Sequence, residues 1–160
     1  MTTPAGQPHP QPMVVVGCAD TVSGRAALLF AAQEARARSA ALRVVLAYQP
    51  STDSDADYFE MNPDREREHY RQIAEQLCQP LTRPGQDTPT PDVVIEQGGA
   101  ATVLLHACRD ASMLVVGNGS HGFLARLTQT STAARVLSEA QLPVVVVPAP
   151  PGGPSGSSRA

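Results

Sequence analysis

Met13-Val-Val-Val-Gly17 is an unbroken apolar run closed by glycine. A strand with one wet face alternates apolar and polar residues. A strand that is apolar at every position is buried on both faces, as in a parallel sheet with helices on either side. Similar short runs follow at Leu42 to Ala47, Val93-Val-Ile95, Met113-Leu-Val-Val-Gly117 and Val144-Val-Val-Val147. Between them the apolar spacing lengthens to that of a helix. Leu28, Ala31, Ala32 and Ala35 form one such stripe, with Thr21 or Ser23 as its cap. Tyr70, Ile73, Ala74, Leu77 and Leu81 form another, opened by Pro63. Ala100, Val103, Leu104 and Ala107 make a third, and Ala133, Val136, Leu137 and Ala140 a fourth.

Strands alternating with helices imply right-handed parallel crossovers. The expected fold is therefore α/β: a Rossmann-like, doubly wound open sheet of five parallel strands with helices on both faces. Ligands of such sheets sit at the carboxyl ends of the strands, near the point where the winding reverses. The turns Gly17 to Ser23 and Gly117 to Thr132 are thus the ones to watch. Residues 1–12 read as a disordered leader, 13–148 as the folded domain, and 149–160 as a Pro-, Gly- and Ser-rich disordered tail.

With 160 residues the chain suits one domain, and with no Trp and few aromatics its core is built from Val, Leu and Ala. Its formal charge of −3 gives no basic stripe for nucleic acid. All twelve basic residues are Arg, which rules out a Walker-type phosphate lysine and a Schiff-base lysine. Cys18, Cys78 and Cys108 are too few and too scattered for a disulfide framework, and reduced thiols of a cytoplasmic protein are the simpler reading. No apolar run has the length of a membrane span.

The turn regions and strands together resemble the universal stress protein family. The resemblance is carried by Val-Val-Val-Gly17 with Arg25-Ala-Ala-Leu28, by Gln97-Gly-Gly-Ala-Ala-Thr-Val-Leu-Leu105, and by Leu114-Val-Val-Gly117 with Ala134-Arg-Val-Leu137 and Leu142-Pro-Val-Val-Val-Val147. It implies strand order 3-2-1-4-5 and a homodimer paired through the last strand. It also implies a choice between nucleotide-binding and non-binding members. In binders an Asp after the first strand contacts ATP. A loop of the form Gly, two residues, Gly, nine residues, Gly, then Ser or Thr holds its phosphates.

Here Gly117 and Ser131 match that loop, whereas Ser120 and Thr130 replace its second and third glycines. Ala19 falls where the Asp is expected, with Asp20 one place later. The candidate nucleotide-binding residues are Asp20, Gly117, Ser120, His121, Thr130, Ser131 and Thr132. Each has a plainer reading. Thr130-Ser131-Thr132 suits a helix cap, Asp20 a turn, and His121 and Arg126 a solvated surface. Cys18, at the end of the first strand, reads as a small buried hydrophobe. His106 and Cys108, two apart on a helix, point in different directions and make a poor metal pair. The acidic Asp53, Asp55 and Asp57 lack the Gly and Glu of a calcium loop.

The expected function is a non-catalytic stress-response or signalling module acting as a dimer, with nucleotide binding weakened or lost. The alternative is an ATP- or AMP-binding member with slow or no hydrolysis. An adenylate-forming or electron-transfer enzyme fits least, because no His-x-Gly-His or Ser-Gly-Gly-x-Asp-Ser segment occurs.

Overall fold

The computed structural model describes residues 11–49, 63–85, 87–118 and 132–151. Ser120, His121, Arg126, Thr130, Ser131, the acidic stretch 51–62, and most of the expected leader and tail lie outside these residues. The chain order is β1 (Met13–Gly17), α1 (Val22–Ala37), β2 (Ala41–Tyr48), α2 (Pro63–Cys78) and β3 (Asp92–Gln97). It continues through α3 (Ala100–Ala107), β4 (Met113–Gly117), α4 (Thr132–Glu139) and β5 (Val144–Val147). A short 3-10 turn, Gln79–Thr82, extends α2 and carries Leu81 into the core.

The five strands form one sheet in the order β3-β2-β1-β4-β5, and every pairing is parallel. Successive side chains on a strand point to opposite faces, and the core divides accordingly. Val14 and Val16 join Leu42, Val44 and Val115 under α1 and α2. Val15 joins Val45, Leu114 and Val116 under α3 and α4. This double burial is why β1 tolerates no polar residue. Each fully buried Val or Leu contributes roughly 2 kcal/mol of transfer free energy.

Helix α1 meets the sheet through Ala27, Leu28, Ala31, Ala32 and Ala35, a mostly small stripe that lets the helix lie close to β1 and β4. Thr21 is the cap: its hydroxyl accepts the Gly24 N–H at 3.0 Å, while Ser23 is buried one step inside the helix. On α4 the expected stripe is corrected at one position. Val136 is fully buried, but Leu137 is 43% exposed. The helix is two turns long and packs on α3 and β5 through a narrow face. Leu137 lies about 100° around from Val136 and misses it.

The sheet's two edges differ in chemistry. Strand β3 carries Asp92 and Glu96, and Arg43 of β2 binds Asp92 at 2.8 Å. Strand β5 is four valines, all partly exposed.

Candidate functional site

Strands β1 and β4 are neighbours at the centre of the sheet, but their chains leave toward opposite faces. After β1 the chain enters α1 over one face, and α4 lies on the other. The carboxyl ends of β1 and β4 therefore open a crevice, the place where an α/β sheet holds ligand. A cavity of about 270 Å³ occupies it. Its floor is apolar, made by Val45, Ala47, Leu104 and Val116. One wall is the β1–α1 turn, contributing Cys18, Ala19, Thr21 and Ser23. Ala100, Gly117 and Thr132, at the starts of α3 and α4 and the end of β4, complete the lining. Larger depressions exist elsewhere, such as one of about 510 Å³ between α2 and β3. That one is walled by Glu68, Arg71 and Glu75, which satisfy one another in ion pairs.

Glycines set the shape of the crevice. A Cβ on Gly117 would lie 2.8 Å from the backbone carbon and oxygen of Ser23. A Cβ on Gly24 would collide with the carbonyl oxygen of Ala19. The start of α1 is thus pressed against the end of β4 with no room for a methyl group. The glycine at position 117 has a packing reason to exist before any phosphate is considered.

Of the residues anticipated from sequence, Gly117 and Thr132 line the cavity. Asp20 does not: its carboxylate accepts from Arg25 Nε at 3.0 Å on the surface, with both side chains more than half exposed. Ala19, in the position where the family resemblance expects an acid, does line it. Ser23, at the end of the Gly17 to Ser23 turn singled out from sequence, lines it too, whereas sequence reasoning passed over Gly24, Ala47, Ala100 and Leu104 as site residues. The clearest signal for them was Ser23-Gly24 beside the expected cap.

Cys18 behaves as the small buried hydrophobe expected. Burial, then the neighbouring Cys78 and Asp20, push its thiol up to about 12, with Arg25 pulling the other way. Its Sγ faces the carbonyl oxygens of Gly24 and Ala19 at 3.9 and 4.0 Å. It is a neutral thiol at the wall and a poor nucleophile. At the end of β4, the buried Asn118 Oδ1 has no hydrogen-bond partner. Among the described residues no cluster of His, Cys, Asp or Glu is arranged to hold a metal ion, and no helix is long and apolar enough to cross a membrane.

Fold and crevice together define a Rossmann-like α/β domain with a crevice at the reversal of winding. The chain belongs to the universal stress protein family, whose sequence model matches residues 13–148. It is 29% identical over 134 residues to universal stress proteins of two Mycobacterium tuberculosis strains, covering 84% of this chain and 47% of theirs. The chain thus spans about half the length of the curated relatives it matches. Solved structures agree on the fold. UspA from Lactobacillus plantarum superimposes with TM-score 0.68 at 17% identity, covering 87% of this chain and 99% of that one. A universal stress protein in complex with cAMP gives TM-score 0.61 at 23% identity, covering 85% and 95%. One from Archaeoglobus fulgidus in complex with dAMP gives 0.52 at 20% identity, covering 86% and 97%.

Proposed function

We propose that this protein is a non-catalytic stress-response or signalling module of the universal stress protein kind, with a weakened grip on adenine nucleotide. The observation that carries this reading is the lining of the crevice. Among the described residues it contains no Asp, Glu, His, Lys or Arg, and a methyl group, Ala19, stands where the family's acid is expected. No described lining residue can act as general base for hydrolysis. A hydrogen bond to a charged group contributes about 1.5–3 kcal/mol, so its loss weakens binding by roughly 10- to 100-fold.

Titration calorimetry of the nucleotide-free protein with ATP and AMP, with and without magnesium, tests the reading. Dissociation constants well above the micromolar range, with no phosphate release, are expected. Micromolar affinity with turnover sinks it. Ala19→Asp returns a carboxylate to the wall and is expected to tighten adenosine binding by about tenfold.

The second reading, an ATP- or AMP-binding member with slow or no hydrolysis, draws support from the neighbours solved with cAMP and dAMP. Tight binding without turnover in the same titration selects it. Either module would work as a homodimer through β5. An apolar strand edge invites pairing unless charges guard it. Strand β3 carries such charges and the four valines of β5 do not. Light scattering at micromolar concentration is expected to give twice the chain mass, and a monomer would refute the pairing.

A further inference from the structure

We propose that Arg135 is a positioning residue for the crevice: its guanidinium ties α4 to α3 and so fixes where Thr132 stands in the lining. Its effect on ligand rests on the adenine-nucleotide reading above. Among the described residues α4 contributes Thr132, its first residue, to the lining. Helix α3 contributes Ala100, also its first, and Leu104 one turn on. The spacing of these two helix starts therefore sets part of the width of the crevice.

A helix of eight residues is not stable by itself, so packing decides where α4 sits. Its buried anchor is Val136, with Ala133 and Ala140 partly buried beside it. Such small side chains make few contacts that resist sliding. Arg135 supplies a directional contact instead. Its Nη1 donates to Thr102 Oγ1 of α3 at 3.1 Å. Its Nε donates to Glu139 Oε1 at 2.8 Å, one turn further along α4. Both bonds come from one rigid plane, so Glu139 aims the group at Thr102. Arg135 follows Thr132 by less than one helical turn, and Thr102 follows Ala100 by less than one, so the tie lies close to both lining residues. The guanidinium is engaged by Thr102 and Glu139, and it acts through the helices rather than as a free charge in the crevice.

The test is calorimetric titration of AMP into the full chain for wild type, Arg135→Gln, Thr102→Val and the double variant, with urea unfolding of each. The two single variants are each expected to weaken AMP by about fivefold. The double variant is expected to be no weaker than either, because both remove the same bond. Unfolding midpoints are expected to stay close to wild type, since Arg135 and Glu139 are about half exposed. Arg135→Lys keeps the charge but loses the fork, and is expected to bind AMP as poorly as Arg135→Gln. Wild-type affinity in Arg135→Lys overturns the proposal, because charge alone would then suffice. Additive losses in the double variant overturn it too, as does unchanged affinity in Thr102→Val.

If wild type does not bind AMP, the adenine reading fails, and the tie is judged without ligand by amide NMR shifts across the helix pair. Signals of Thr132 and Ala133 on α4 that move in Thr102→Val retain it. Signals there that stay in place remove it.

Discussion

Strands β1 and β4 look alike in sequence, each an apolar run closed by glycine, yet the two glycines answer different demands. A Cβ on Gly17 would meet the methyl groups of Leu104 at 2.8 and 2.9 Å, the far end of a flexible side chain. A Cβ on Gly117 would meet the backbone of Ser23 and Gly24 at 2.8 to 3.0 Å, held by the capped start of a 16-residue helix. The first neighbour can give way and the second cannot. A glycine that matches a phosphate-loop pattern is therefore also what this packing requires, so its presence alone says little about nucleotide.

The largest expected effect is that of Gly117→Ala. Forcing a methyl group against fixed backbone is expected to cost about 3 kcal/mol, read from urea unfolding of the ligand-free protein. Unchanged ligand-free stability would mean that the glycine serves a ligand after all. Gly17→Ala is expected to cost about 1 kcal/mol, because Leu104 can rotate or shift. Adding Leu104→Ala should then cost less than it does in wild type, a coupling that a double-mutant cycle measures. Additive costs would mean that the two strand ends are equally rigid.

The pH dependence of the wall is a smaller effect. In the unfolded chain the Cys18 thiol ionises around its ordinary value of 9.0, and in the folded chain ionisation waits until about 12. The unfolded state loses its proton first, so the stability from this group is intact below pH 9 and declines between pH 9 and 12. Unfolding midpoints should fall across that window less steeply in Cys18→Ala than in wild type. Equal slopes would show that the thiol is not shielded. The smallest effect belongs to Asp20→Asn. The Asp20–Arg25 pair is more than half exposed, and its loss is expected to change stability by less than about 0.5 kcal/mol.

The architecture was readable in the sequence because its elements are local and periodic. Double-sided burial wrote the strands as apolar runs. The stripes Leu28 to Ala35 and Tyr70 to Leu81 marked the helices that cover one face. Leu137 shows the limit: apolar spacing places a residue on a helix but does not say how wide a face the neighbours cover. The crevice was only half readable. Gly117 and Thr132 were found because they bound the turn after the fourth strand that the winding rule picks out, and Gly117 also matches the family pattern. Ala47 and Leu104 were not, since nothing local links residues that meet only after two crossovers. The two candidates for the α1 cap were settled by depth, Thr21 taking the Gly24 N–H and Ser23 turning to the cavity wall.

The placement of β1 at the centre of the sheet has a consequence for synthesis. The chain makes β1 early, yet one of its two partners, β4, comes much later: Ser112, just before β4, donates to the Met13 carbonyl across 99 positions. Emerging from the ribosome, β1, β2 and β3 can pair while one side of β1 stays bare. Such non-local pairing is slow, and an apolar strand left waiting is open to wrong partners. For this chain the vulnerable interval is the time taken to translate α3 and β4, when the half-built sheet leaves one side of β1 unpaired.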